Sequence, residues 1–150
     1  MTITIEDASI KDLDKLYEIE TKCFRMEAFS KQQIAQLLKN NNTTSLVAKE
    51  NGEIIGFIIG MLFIEENMIV GHILTIDVSP NHRRKGVGIK LLQEMEKIFK
   101  SKQAVMCRLE VREDNIAALN LYRKLGYKKV GKLEHYYGDA HGILLEKPLC

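Results

Sequence analysis

No run of apolar residues in this 150-residue chain is long enough to cross a membrane. The longest, around Ile54 to Ile64, is interrupted by two glycines, Gly56 and Gly60. The opening Met-Thr-Ile-Thr-Ile-Glu-Asp has neither a basic region nor an apolar core, so no secretory leader is expected. Cysteines number only three, Cys23, Cys107 and Cys150, widely spread and without metal-ligand spacing. That excludes a disulfide framework and predicts reduced thiols in a cytoplasmic protein, two buried and one terminal. Basic and acidic residues nearly cancel, 22 against 20, and the net charge of +2 argues against bulk nucleic-acid binding. Internal repeats, linkers and low-complexity blocks are also missing. What is left is ordinary for a soluble globular chain, 45% hydrophobic and 28% charged. The expectation is one domain over residues 1–150, burying about two-thirds of its unfolded surface.

Periodicity supplies the elements. Thr2 to Ile5 alternates as a short strand. Ser9-Ile-Lys-Asp12 has capping-box spacing before Leu13, Leu16, Tyr17 and Glu20 at helical intervals. Ser30-Lys-Gln-Gln33 opens a second helix bearing Ile34, Leu37 and Leu38. Three strands follow, Ser45 to Lys49, Glu53 to Phe63 and Met68 to Val78, with Asn51-Gly52 as a type I′ hairpin turn and Glu65-Glu66-Asn67 as a second turn. A helix from about Gly86 to Lys100, a strand Val105 to Val111, an Asn115-capped helix ended by Gly126, and strands Tyr127 to Leu133 and Gly142 to Lys147 complete the order. Hairpins followed by two β-α crossovers predict a mixed α/β sheet with helices on both faces.

Pro80 to Leu92, Pro-Asn-His-Arg-Arg-Lys-Gly-Val-Gly-Ile-Lys-Leu-Leu, carries the most chemistry. A strand ends, a basic glycine-bearing turn follows, and an amphipathic helix starts. Gly86 and Gly88 let backbone amides approach a ligand, and a helix N-terminus favours anions. Arg83, Arg84 and Lys85 add positive charge, so the segment reads as a pyrophosphate cradle. It contains no P-loop, and Leu91 stands where the dinucleotide fingerprint needs a third small residue.

Arg83-x-x-Gly86-x-Gly88 is similar to the acetyl-CoA motif of the GNAT family of N-acetyltransferases, (Gln/Arg)-x-x-Gly-x-(Gly/Ala). Leu109-Glu-Val-Arg-Glu-Asp-Asn115 through Tyr122 to Gly126-Tyr127 resembles the family's second signature in its RimI-type and NatA-catalytic-type branches, which acetylate protein N-termini. Gly71-His-Ile-Leu-Thr-Ile-Asp-Val78 and the ending from Tyr136-Tyr137-Gly-Asp to Leu149 resemble the same branches. The resemblance spans essentially the whole chain. It implies about seven strands in a mostly antiparallel sheet, splayed between the fourth and fifth.

The resemblance also implies a site. Acetyl-CoA would lie on amides from Arg84 to Ile89 (Lys85, Gly86, Val87 and Gly88 among them), beside Arg83, Asn115 and Tyr122, with its pantetheine arm along the backbone of Ile76, Asp77 and Val78. An oxyanion donor is expected from the same strand. Glu110 would be general base and Tyr122 general acid. On residue pattern alone Glu110 is equally a strand carboxylate paired with Arg108 or Arg112, and Tyr122 an aromatic on the Ala118, Leu121, Leu125 face. Glu27 competes as base through its match to the NatA-type loop glutamate, although Arg25-Met26 and Ala28 replace that glutamate's usual neighbours. Phe24, Met26, Tyr136 and Tyr137 are expected to line the acceptor groove, with only one of the adjacent tyrosines facing it. His72 is a proton-relay candidate, or a sheet-face histidine alternating with Val70, Leu74 and Ile76.

Acetyl transfer to an α-amine needs a neutral amine, an oxyanion donor and a proton for the leaving thiolate. An α-amino group titrates near 7.7–8.0, a lysine near 10.4. The acceptor the resemblance implies is a protein N-terminus, a ribosomal protein among the candidates, with a ribosome-associated subunit as a further partner and no metal. A lysine or small amine as acceptor, or a non-catalytic CoA-binding subunit, stays open at this stage.

Overall fold

A computed structural model describes residues 2–24 and 26–149. The strands are β1 (Ile3–Asp7), β2 (Thr43–Glu50), β3 (Glu53–Glu65), β4 (Met68–Val78), β5 (Ala104–Arg112), β6 (Lys128–Leu133) and β7 (Gly142–Pro148). The helices are α1 (Leu13–Cys23), α2 (Lys31–Lys39), α3 (Val87–Ser101) and α4 (Ile116–Lys124). The seven strands form one sheet in the order β1-β2-β3-β4-β5-β7-β6. All neighbours are antiparallel except β4 and β5. That parallel pair follows from the α3 crossover between them.

Local signals act as their chemistry dictates. Ser30 Oγ accepts the Gln33 N–H at 3.1 Å while Gln33 returns a side-chain oxygen to the Ser30 N–H at 2.8 Å. Asn115 Oδ1 accepts the Ala118 N–H at 3.1 Å. Asn51 and Gly52 both have positive φ, as a type I′ turn requires, and so do Glu66 and Asn67.

Two apolar layers cover the two faces. Leu16, Ile19 and Ile34 of α1 and α2 pack on Val47, Phe57 and Ile59. Leu91, Leu92, Met95 and Phe99 of α3 pack on Leu46, Ala48 and Ile58 of the opposite face, extended by Cys107, Leu109 and Val111. Gly60 and Gly71 make room for α3: a Cβ on Gly71 would stand 2.2 Å from Phe99 Cδ2, and one on Gly60 2.6 Å from Phe99 Cζ.

Two departures from regular pairing build the site. The β4–β5 ladder runs only from Ile69↔Ala104 to His72↔Arg108, and beyond it the strands part. The β3–β4 register slips between Ile59 and Gly60, so Ile59 faces Thr75 and Gly60 faces Ile73. Such a bulge reverses which face each later side chain meets. Ile73 packs on the α3 face and Leu74 on the α1 face, but after the slip Ile76 and Val78 join the α3 layer and Thr75 reaches Glu20 of α1.

Several expectations are corrected here. Cys107 is buried, but Cys23 is only half-buried and its thiol donates to the Val78 carbonyl at 3.4 Å. Cys150, expected as the terminal thiol, lies outside the described residues, as does Arg25. Tyr127 precedes β6 as a fully buried core residue whose hydroxyl donates to Glu96 Oε2 at 2.6 Å. Leu121 is 39% exposed, so the packed face of α4 is Ala118, Leu119, Tyr122 and Leu125.

Candidate active site

The parting of β4 and β5 opens into a cavity of ≈ 590 Å3. Its floor is Ile73 to Ile76 of β4 and Leu109 to Arg112 of β5. Phe24, Met26, Glu27 and Phe29, between α1 and α2, form one wall; Tyr136 and Tyr137, between β6 and β7, form another. Asn115, Ala118 and Tyr122 close the α4 side. The structure thus brings together most of the residues expected for acceptor and chemistry.

Both tyrosines line the cavity, against the expectation that only one would. The segment between β6 and β7 turns rather than extends, and the rings meet edge-on with centroids 4.9 Å apart. Burial, then the neighbouring Glu110 carboxylate, pushes the Tyr136 phenol above its ordinary pKa.

Glu110 is bonded neither to Arg108 nor to Arg112. His72 Nε2 lies 2.8 Å from its Oε2 and 2.9 Å from its Oε1. Arg108 is taken by Glu65 at 2.7 Å and Glu146 at 2.6 Å. Glu110 lines the cavity while His72 stands behind it, outside the lining. His72, read from sequence as a proton-relay candidate or a sheet-face histidine, is thus a partner of the carboxylate rather than part of the lining. The carboxylate is bonded to the imidazole and meets the Tyr136 hydroxyl at the cavity.

Glu27 is held differently. Its carboxylate is ion-paired to Arg112, whose guanidinium also donates to Asp139 at 3.2 and 3.3 Å and to Asp114 at 3.1 and 3.2 Å. The same guanidinium lies 5.6 Å from the Tyr137 ring centroid. All five of its N–H donors have an acceptor. Arg112 thus ties up the Glu27 carboxylate, whereas the Glu110 carboxylate is bonded to His72. Sequence reading considered Arg112 only as a partner for Glu110; the signal was Asp114, two residues on.

Tyr122 enters from the opposite face of the sheet. Burial first, then the charges of Asp77 and Cys107, push its hydroxyl up to about 12. It keeps its proton at neutral pH and can donate it.

The cradle carries the geometry its composition suggested. Arg84 and Gly86 have φ of 66° and 79°, left-handed values that turn successive amides to one side. Gly86 precedes α3, and the Lys90 N–H is bonded to its carbonyl at 3.1 Å. The amides of Val87, Gly88 and Ile89 precede that bond and have no intrahelical partner. A Cβ on Gly86 would meet nothing within 4 Å, and one on Gly88 only Val78 Cγ2 at 3.6 Å. These residues fit a pyrophosphate. Arg83 folds back, its Nε donating to the Val78 carbonyl at 3.2 Å and Nη2 lying 3.5 Å from Cys23 Sγ. Lys85 Nζ lies 3.9 Å from Glu50 Oε1.

Backbone phase decides which parts of β4 face the parting. The Ser79 N–H donates to the Ile55 carbonyl at 2.8 Å, and Asp77 is opposite Phe57 one period earlier. Asp77 therefore spends its backbone on β3, leaving that of Ile76 and Val78 directed at the opening. Asp77 is accordingly withdrawn from the expected cofactor contacts: its side chain is 1% exposed and bonded with Thr75 beneath α1. Glu20, Thr75 and Asp77 form a buried acidic cluster that sequence reading missed. The signal was an acid, Glu20, at an apolar-face position of α1.

Known proteins resemble this one in sequence and in fold. The family model described as Acetyltransferase (GNAT) family matches residues 13–127. An N-alpha-acetyltransferase of Sulfurisphaera tokodaii is 33% identical over 97% of this chain and 92% of its own length. A putative [ribosomal protein bS18]-alanine N-acetyltransferase of Bacillus subtilis is 28% identical over 90% and 87%. Among solved structures, Ard1 from Thermoplasma volcanium superposes with a TM-score of 0.89 at 26% identity, covering 100% of this chain and 99% of its own. With the cradle, the parted strands and this match over most of its length, the chain belongs to the GNAT family of acetyltransferases, which use acetyl-CoA.

Proposed function

We propose that this enzyme transfers acetyl from acetyl-CoA to the α-amine of a protein or peptide N-terminus. The observation that carries the reading is Glu110, bonded to His72 at 2.8 Å and facing a cavity walled by two loops rather than sealed by the core. Near-full-length relatives named N-alpha-acetyltransferase support it.

Bound at the amides of Val87 to Ile89, acetyl-CoA supplies the acetyl thioester. Glu110 takes the proton shed by the incoming ammonium, and His72 orients the carboxylate and spreads the charge. An α-amine near pH 7 is already partly neutral, so a carboxylate suffices where a lysine would demand more. Ile76 and Val78 offer backbone groups along the opening, the Val78 carbonyl being held by Arg83 and Cys23. Tyr122 holds the proton a leaving thiolate needs. The described cavity lining contains no cysteine, which favours direct transfer over a covalent acyl-enzyme. The reading calls for no metal, since base and acid are both side chains.

The test is acetyl-CoA consumption on peptides with free Ser, Ala, Thr, Met-Leu and Met-Glu N-termini, beside an N-blocked peptide carrying one lysine. Turnover on free N-termini alone is expected; turnover on the blocked lysine alone would replace this reading with side-chain acetylation. An alanine N-terminus copied from a ribosomal protein belongs in the panel, because a bS18 enzyme is among the relatives. Dependence on added ribosomes would identify a ribosome-associated partner.

A further inference from the structure

Thr75 Oγ1 lies 2.9 Å from Glu20 Oε1 and 2.6 Å from Asp77 Oδ1. Both carboxyls are 1% exposed, and Asp77 Oδ2 is buried with no hydrogen-bond partner among the described residues. One hydroxyl has one proton and cannot donate to two carboxylates. Two buried anions competing for one threonine hydroxyl are strongly unfavourable even with Glu20 and Thr75 at the cavity wall, so the cluster holds an additional proton. Glu20 has a second donor in the Phe29 N–H whereas Asp77 Oδ2 has none, so the proton belongs to Asp77, which donates to Thr75, and Thr75 donates to Glu20. Glu20 is not the end of it, because its Oε2 accepts the Phe29 N–H at 2.9 Å. Phe29 belongs to the loop that walls the cavity.

We propose that Asp77 is a positioning residue for the acceptor: its proton, shared with Thr75, spares Glu20 a neighbouring charge, so that Glu20 keeps its bond from the Phe29 amide and holds the loop between α1 and α2 closed against the cavity, and losing that proton releases it. This rests on the cavity being the acceptor site. Asp77 is fixed in the middle of the sheet. Glu20 sits in the last turns of α1, just before the loop, so repulsion between the two is relieved by moving Glu20 and with it Phe29. Three other groups face the cluster: Cys23 of α1, Arg83 after β4 and Tyr122 of α4. Only Arg83 brings positive charge, and its guanidinium is engaged by Val78 and Cys23. Burial, reinforced by Glu20, raises the Asp77 carboxyl well above its ordinary range. Release therefore comes as pH rises.

The test needs a probe with no titrating amine. The dissociation constant of N-acetyl-Ser-Ala-Gly-Ala-amide for the CoA-saturated enzyme is measured from pH 6.5 to 9.5, with hydrogen exchange of the Phe29 amide over the same range. Wild type should weaken at least tenfold across the range and lose Phe29 protection beyond the intrinsic pH dependence. Asp77→Asn and Glu20→Gln, neutral at every pH and able to bridge Thr75, should bind without that trend and keep Phe29 protected. A flat wild-type profile, or an equal rise in both variants, overturns the proposal. If the peptide binds at no pH, the acceptor reading fails, and Phe29 exchange decides the latch alone. Protection lost with pH only in wild type sustains the latch; pH-independent protection removes it.

Discussion

Glu27 and Arg112, 85 positions apart in the chain, are ion-paired across the mouth of the cavity. The pair ties the α1–α2 loop to the end of β5, and Asp139 and Tyr137 bring the β6–β7 loop to the same guanidinium. One side chain thus sets the separation of the two walls. Arg112→Gln is expected to raise the peptide KM by about tenfold while leaving the acetyl-CoA KM unchanged. Steady-state kinetics with each substrate varied in turn checks it, and an effect confined to acetyl-CoA would refute it.

Glu110 and Glu27 separate in a pH–rate profile. Loss of a positioned general base reduces rate by about 10^2–10^4-fold. Glu110→Gln should fall into that range at pH 7 and recover part of it by pH 9, where the free α-amine is neutral without help. His72→Gln should show a smaller loss, because the carboxylate survives without its orienting partner. Glu27→Gln should change peptide KM more than kcat. A large kcat loss in Glu27→Gln with Glu110→Gln near wild type would reverse the assignment of base.

Much of this architecture was legible because local and global signals agree. Ser30, Asn51-Gly52, Asn115 and Gly126 each do what their side chains or lack of one dictate, so element order and boundaries follow from spacing. What stayed hidden depends on contacts between distant segments. An alternating run from Val70 to Val78 reads as an unbroken strand, yet the slip at Ile59/Gly60 turns Thr75 and Asp77 under α1. No pattern within that run announces the slip. Gly60 reads as an interruption of an apolar run and Gly71 as one residue of the next strand, and their purpose becomes visible only with the Phe99 ring above them. Arg112 reads as one charge among many until the loops that supply Glu27 and Asp139 come together. Glu110 was found by resemblance, but its partner His72 required the parallel register His72↔Arg108 that brings the two strands side by side.

The glycine seat of α3 makes a stability prediction. Gly71→Ala would drive a methyl to 2.2 Å from the Phe99 ring, and the ring is fully buried with no room to retreat. Overpacking of this kind destabilises by about 1–3 kcal/mol. Pairing it with Phe99→Leu should recover part of the loss, since the smaller side chain vacates the seat. Urea denaturation of both single variants and the double variant measures the coupling, and strict additivity would show that the contact is not the cause.

Gly86→Ala separates backbone conformation from packing. A Cβ there meets nothing, but φ of 79° is left-handed and costs a non-glycine residue about 1 kcal/mol. The strain falls on the turn that aims the amides of Val87 to Ile89. Acetyl-CoA binding should weaken several-fold while the melting temperature drops by only a few degrees. Calorimetric titration with CoA reads the first and thermal unfolding the second. Unchanged CoA affinity would mean that the pyrophosphate does not depend on this turn.

The buried acid pair gives stability its own pH dependence, and the sign follows from linkage. Burial first, then Glu20, raises the Asp77 carboxyl in the folded chain, whereas in the unfolded chain an aspartate titrates near 4. Between those limits the folded state holds a proton that the unfolded state has lost. Stability from this group is fully present below about pH 4 and declines as pH rises toward the raised value. Asp77→Asn has no proton to lose, so its melting temperature should gain on wild type as pH is raised from 5 to 8. The difference between the two melting temperatures, measured at pH 5, 6.5 and 8, isolates this contribution from every other titrating group. A difference that stays constant would mean that Asp77 is ionised throughout and that Thr75 bridges two anions.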